Sequence, residues 1–459
     1  MAFFIERARA CFSRVGLWTR HHFVEIALAA LFALPFAYIV AAYIERPDPF
    51  TIYIVADSDT NKETLDTFRE KAKIYPAARM GDVDVQVKLK ILPDNTVEAA
   101  QALAEELSSQ PDTLMVIGSG RSQLVEKSLP IYFKASPRVP YIATTATDDD
   151  LLKDCDAECF QNVGLRSLFV RTRFAPLLQL SPTNRIQASS AIEFAIENGK
   201  HRFLIVSGND SQNRSYAENL STQYEAAIAA AVKDGAVEVN RYDIDRLPED
   251  DKNLIGTNPE CVLYVGNFGE AQTLFTRLQH LGAAASQTMI ILSDSVIQTR
   301  TSDVQLSQAF RQSGADSSLP VRFTHQTVAS DYNDHVSTYD RDAIAIAHTL
   351  ITDLNERGTD LRMRLRTWFH IHRATDARRN LNRIMRENAA VRTWYEGEAA
   401  QGAHPITYIF RGHNQFNGIF HVWRLQDHDA VGMEDVDHWH PGRGITFAQE
   451  AASLAANND

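Results

Sequence analysis

The chain has 459 residues and a formal net charge of −12, with 44% hydrophobic, 23% charged and 9% aromatic residues. That is ordinary globular composition, with chain enough for more than one hydrophobic core. The acidic balance argues against nucleic acid as the main partner, because phosphate binding needs a basic face. Four cysteines in this length exclude a disulfide scaffold and a Cys-rich zinc protein.

The first predicted element is a membrane span. Phe23 to Ile44 is a run of 22 residues with one charge, Glu25, near its start. At about 1.5 Å per residue it is long enough to cross a hydrocarbon layer of roughly 30 Å. Pro35 lies inside it, which a membrane helix tolerates. Arg7, Arg9, Arg14 and Arg20 precede it, and Glu45, Arg46, Pro47 and Asp48 follow. The positive-inside rule then puts residues 1–22 in the cytoplasm as a basic tail and the chain beyond about residue 47 outside. The competing reading is a cleaved signal peptide, with small residues at Val40-Ala41-Ala42; the length of the apolar run favours an uncleaved anchor.

Export changes how the cysteines read. Cys11 sits in a reducing compartment, whereas Cys155 and Cys159 lie outside at C-x3-C spacing, either as a local disulfide or as two thiols. Cys261 opens an apolar run and reads as a small core residue.

Beyond the span, apolar strand patterns alternate with amphipathic helical ones. Strands are predicted at 50–56, 83–92, 113–118, 141–144, 202–207, 237–244, 261–266 and 288–293, and helices at 62–73, 97–107, 123–134, 185–197, 215–233, 270–281 and 343–355. This rhythm means βα units and mainly parallel sheets with helices on both faces. It is interrupted by seams near Phe174–Thr183 and Arg322–Tyr332, and two late strands follow at 406–410 and 418–425. The expected organisation is a first part of lobe 1 over 47–178, lobe 2 over 179–328, a return to lobe 1 with hinge strands over 329–425, and a C-terminal extension over 426–459. Ligands of open α/β sheets sit at the carboxyl ends of the strands, so two such sheets facing each other make a cleft.

Four stretches carry a resemblance: VIGSGRS (Val116–Ser122), VPYIATTATDDDL (Val139–Leu151), FLIVSGNDSQNRSYAENL (Phe203–Leu220) and CVLYVGNFGEAQTLFTRLQHLGA (Cys261–Ala283) followed by IILSDS. In order and spacing they resemble type I periplasmic binding proteins of the branched-chain amino-acid-binding branch, over roughly residues 50 to 425. The resemblance implies two Rossmann-like lobes with parallel sheets joined by a hinge. It also implies a small-molecule ligand held between them, no cofactor and no catalysis.

Helix starts after strands present free N–H groups and a positive dipole end, suited to a carboxylate. By match to the family, Ser122, Thr145 and Thr147 take that role, against the alternative that they are ordinary helix caps. Asp294 stands where the family places the acid that meets the ligand's amino group, Tyr216 matches the residue that covers the ligand, and Phe268 or Asn267 a wall position. One departure stands out: the family's Pro is Asp148, which begins the acidic run Asp148–Asp150. Arg121 lies in the same loop region.

Other features weigh less. His370/His372 and His438/His440 have metal-like spacing but no fixed third ligand, and the eight arginines between Leu361 and Arg386 read as a solvated face or a docking patch. Asn213 and Asn219 head N-x-S sequons. No nucleophile elbow, P-loop or zinc-protease motif is present. The reading that results is a membrane-anchored extracytoplasmic solute-binding protein or receptor for an amino acid or related carboxylate, working with a transporter or a signalling membrane protein. The alternative is an interaction scaffold on the same fold without a small ligand.

Overall fold

The computed structural model describes residues 50–60, 65, 79–80, 83–160, 174–209, 214–231, 238–247, 259–279, 288–296, 321–325, 338–357, 374–387, 390–392, 407–411, 414–415, 420–425 and 433–434. The expected span at 23–44, most of the expected helix at 62–73 and both His-x-His pairs lie outside them. Among the described residues no helix is long and apolar enough to cross a membrane.

Two sheets organise the chain. The first runs β12-β13-β14-β6-β5-β4-β1-β3-β2. Its strands are β1 (Phe50–Ala56), β2 (Arg79–Met80), β3 (Val83–Ile91), β4 (Thr113–Gly118), β5 (Tyr141–Ala143), β6 (Leu177–Gln179), β12 (Ala390–Arg392), β13 (Thr407–Arg411) and β14 (Asn414–Gln415). The second runs β16-β15-β11-β10-β9-β7-β8, from β7 (Arg202–Ser207), β8 (Glu238–Asp243), β9 (Cys261–Val265), β10 (Met289–Leu292), β11 (Val321–His325), β15 (His421–Leu425) and β16 (Met433–Glu434). The central strands of each are parallel, and the late strands β13, β15 and β16 pair antiparallel.

Why these runs form central strands follows from how their residues split. In β1, Phe50, Ile52 and Ile54 enter one core and Tyr53 and Val55 the other. The first core is closed by helices α6 (Thr338–Arg357) and α7 (Ala374–Glu387), the second by α1 (Val97–Ser109) and α2 (Ser122–Lys134). A strand buried on both faces is a near-continuous apolar run, which is why FTIYIVA shows no alternation; its threonine, Thr51, donates to Asp112 Oδ2 at 2.8 Å. Lobe 2 repeats the scheme. Leu204, Val206, Val262 and Ile290 pack under α5 (Phe268–Gln279), while Phe203, Ile205, Leu263 and Ile291 pack under α3 (Asn184–Glu197) and α4 (Arg214–Ala231). Its edge strand β8 reads EVNRYD and is mostly exposed, as suits a strand with one open hydrogen-bonding edge.

The seams differ from expectation in one respect. Phe174–Thr183 contains β6, which pairs in parallel with β5 and extends lobe 1 before the chain crosses at Leu180–Thr183. Likewise β11 occupies the start of the second seam and pairs with β10. Both strands are short, so neither produces a long apolar run. The C-terminal extension contributes β16, which adds to β15 at the edge of lobe 2.

Candidate functional site

Three loops leave the carboxyl ends of β1, β4 and β5 in lobe 1. Gly118 closes β4 against β1 so tightly that a Cβ there would lie 2.4 Å from the Val55 carbonyl oxygen. The next residue, Ser119, has a positive φ of 27°, a conformation that costs a non-glycine residue energy. Two bonds hold it there: its N–H donates to Val55 O at 3.1 Å, and its hydroxyl donates to Asp57 Oδ1 at 2.8 Å. Burial raises the Asp57 carboxyl above its ordinary value, offset by the Ser119 bond and the nearby Arg121 guanidinium. Arg121 is held between the two acids of the β1 loop, 3.6 Å from Asp57 and 2.5 Å from Asp59. Thr145 is half-buried, and its hydroxyl lies 2.7 Å from where a Cβ on Gly120 would sit.

Ser122 begins α2 and is buried. Its hydroxyl oxygen accepts the N–H groups of Thr147 at 3.1 Å and Asp148 at 3.2 Å. The two loops are thereby tied together, and these two donors are engaged within lobe 1. Gln179 and Ser181 complete the support, both donating to the Ala146 carbonyl at 2.8 Å. Burial raises the carboxyl groups of Asp148 and Asp149.

Lobe 2 presents Asp294, which opens a short 3-10 turn after β10. Its Oδ1 accepts from Tyr216 OH at 2.5 Å and from Gln187 Nε2 at 2.8 Å. Burial raises its carboxyl, and these two bonds work in the other direction. The Tyr216 hydroxyl is pushed well up by burial and by Asp294. Gln187 also donates to Thr324 Oγ1 at 2.8 Å, locking its own orientation.

The two groups meet along one seam. From lobe 2, Asn219 donates to Asp148 Oδ1 at 2.8 Å, and Asn184 donates to Asn219 Oδ1 at 2.9 Å. Asn184 and Gln187 are three residues apart on α3, as are Tyr216 and Asn219 on α4. That spacing puts each pair on one helix face, about 5 Å apart along the axis. Ser122 and Thr147 thus lie on the lobe-1 side of this seam and Tyr216 and Asp294 on the lobe-2 side, and Asn184 and Asn219 tie Asp148 to the two helices whose Gln187 and Tyr216 hold Asp294. Phe268 begins α5, but its side chain is outside the described residues. Sequence reasoning missed Asn184, Gln187 and Asn219. Their signal was polar residues at helical spacing on faces that otherwise pack inward.

Elsewhere, Cys155 and Cys159 are both free thiols, half-buried and buried respectively. Among the described residues no cluster of acids, histidines and cysteines could hold a metal.

No family model matches the chain, and no curated protein matches it either. Solved structures do match. The leucine binding protein LivK from Thermotoga maritima aligns with a TM-score of 0.56 at 13% identity, covering 85% of this chain and 99% of that one. A periplasmic binding protein type 1 from Bordetella pertussis Tohama I aligns with a TM-score of 0.55 at 12% identity, covering 85% and 100%. The fold is that of a type I periplasmic binding protein. A solute binding protein from R. palustris, solved in complex with benzoate, aligns with a TM-score of 0.54 at 12% identity over 84% of this chain and 95% of that one. At such identities the likeness establishes the type I architecture, with its two parallel-sheet lobes. The ligand must be argued from this chain's own residues.

Proposed function

We propose that this chain is a membrane-anchored extracytoplasmic solute-binding protein whose ligand is small and polar, an amino acid or a related carboxylate, taken up between the lobes by a hinge motion. The observation that carries this reading is the seam itself. Asp148, in the loop at the carboxyl end of β5, meets Asn219 of lobe 2, which lies three residues from Tyr216, the donor to Asp294, where an open α/β sheet places its ligand. Several buried oxygens along it, Asp148 Oδ2, Asn184 Oδ1 and Gln187 Oε1, have no protein donor, and a ligand bearing an ammonium group supplies donors to such acceptors. Asp294 is the anionic partner for that ammonium, Tyr216 its cover, and Ser122, Thr145 and Thr147 line the opposite side, with Phe268 a wall position on the lobe-2 side. The anchor is the 23–44 run, with the lobes outside. The leucine and benzoate bound by the aligned proteins support the size class.

A thermal-shift panel of amino acids, aliphatic acids and aromatic acids on the detergent-solubilised full chain tests this reading. Ligand binding stabilises the folded state by mass action, so at least one class raises the melting midpoint in a concentration-dependent way. Silence across the whole panel overturns it. The second reading, an interaction scaffold without a small ligand, is favoured by one observation: Ser122 and Asp148 are already bonded to protein groups.

A further inference from the structure

The acidic run that departs from the family pattern has a structural explanation in this chain. Thr183 is the N-cap residue of α3, yet its side chain makes no cap hydrogen bond to that helix. The first two N–H groups of α3 are instead met from lobe 1, while those of Ile186 and Gln187 donate to the Thr183 carbonyl. Asn184 N–H donates to the Thr147 carbonyl at 2.7 Å, and Arg185 N–H donates to Asp149 Oδ2 at 2.9 Å. Helix starts carry unpaired donors and a positive dipole end, so a carboxylate placed there is favoured. The neighbouring acid, Asp148, is 1% exposed and reaches the other lobe-2 helix, accepting from Asn219 at 2.8 Å. Helices α2 and α4 pack against each other across the same boundary.

We propose that Asp148 and Asp149 form an interlobe clasp that holds the two lobes together without any ligand. The two acids do different work. Arg185 lies two residues past the crossing at Leu180–Thr183, so its bond to Asp149 sits beside the pivot and tolerates rotation. Asn219 is on the next helix, beyond β7 and so two elements further from the crossing. Its bond to Asp148 must break when the lobes separate, so it sets the resting population of closed molecules and gates ligand admission. A hydrogen bond to a charged acceptor, removed, moves a two-state ratio by roughly tenfold or more. The clasp does not depend on which ligand, if any, the seam accepts.

The test measures the distance between spin labels placed through non-canonical amino acids at exposed Glu105 on α1 and Gln272 on α5 in the full chain in detergent. Without added solute, the unsubstituted protein is expected to give a single short distance. Asn219→Ala is expected to raise the longer-distance population at least tenfold. Asn219→Asp, which sets two carboxylates face to face, is expected to raise it further. Asp148→Ala is the direct variant; if it fails to fold, the two Asn219 variants still decide. Distributions unchanged in folded Asn219→Ala and Asn219→Asp overturn the clasp. A ligand-panel result of either sign leaves this outcome independent, because no solute is present.

Discussion

Tyr216 and Asp294, 78 residues apart in sequence, share a 2.5 Å hydrogen bond in which the phenol donates to Oδ1. The bond joins the face of α4 to the turn after β10, and Gln187 adds a second donor from α3 to the same oxygen. Three elements of lobe 2 thus converge on one carboxylate. A charge-assisted bond to that carboxylate contributes on the order of 1.5–3 kcal/mol. Asp294→Ala should therefore weaken binding of the ligand found by thermal shift by roughly ten- to a hundredfold. Unchanged affinity in a calorimetric titration removes Asp294 from the site.

The buried acids set a pH dependence with a definite sign. Burial raises Asp57, Asp148, Asp149 and Asp294. Between the ordinary carboxylate value near 4 and the raised values, the folded chain holds more protons than the unfolded chain, so stability increases as pH falls through that window. Asp154, Asp156 and Glu260 act the opposite way. They are lowered by Lys127, by Lys134 and by the His201 N–H respectively, and their contribution is lost below the ordinary value. The melting midpoint is expected to climb as pH falls through the raised values toward the ordinary carboxylate value near 4, and to fall below it. Asp148→Asn together with Asp294→Asn should flatten the climb. A midpoint that only declines on acidification from pH 8 contradicts the assignment.

Arg378 on α7 is 3% exposed, and its guanidinium donates to the carbonyls of Thr113 and Gln110 at the base of β4. Burial lowers its pKa to about 10, which still leaves it charged at neutral pH. It fastens a late helix to an early strand across more than 260 residues of chain. Arg378→Ala leaves a buried carbonyl, that of Thr113, and a partly buried one, that of Gln110, without this donor, at about 1–3 kcal/mol each at most. Chemical denaturation should show a loss of roughly 2–5 kcal/mol, whereas the exposed neighbour Arg379→Ala should fall within about 0.5 kcal/mol. Equal effects for the two would refute the role given to Arg378.

Gly118→Ala is expected to be worse than Gly199→Ala. A methyl at Gly118 meets Val55 backbone oxygen at 2.4 Å and nitrogen at 2.8 Å, while at Gly199 nothing lies within 4 Å. Because Gly118 also positions Ser119 and Asp57, its substitution should displace the β1 and β4 loops along with lowering the melting midpoint. At Gly199 the cost is confined to its φ of +72°, about 1–2 kcal/mol. A Gly118→Ala protein as stable as Gly199→Ala would show that the β1–β4 contact can yield.

The long buried strands were legible because they are buried twice over: FTIYIVA, TLMVIG and RFLIVS have no polar face to hide. β6 was not, because three residues after Ala-Pro carry too little pattern, and Gln179 there is buried for its two carbonyl contacts rather than for apolarity. In the site, Tyr216 and Asp294 could be placed by resemblance, and the structure bonds them to each other. The partnership of Asp148 with Asn219 was invisible, since nothing local in either stretch announces a contact 71 residues away. A departure from a pattern shows that something differs; only the folded chain shows what replaces it.

The interleaved path of the chain fixes an order of events during synthesis. The face of lobe 1 formed by Phe50, Ile52, Ile54 and Met115 is covered by Ile346, Leu350 and Leu381, residues that leave the ribosome some two to three hundred positions later. The β7–β11 region, by contrast, holds most of its own packing partners within a continuous stretch of chain. The second-made half therefore matures before the first-made half can close. For that interval the nascent polypeptide carries a naked apolar sheet, which makes it a natural client for holdase chaperones.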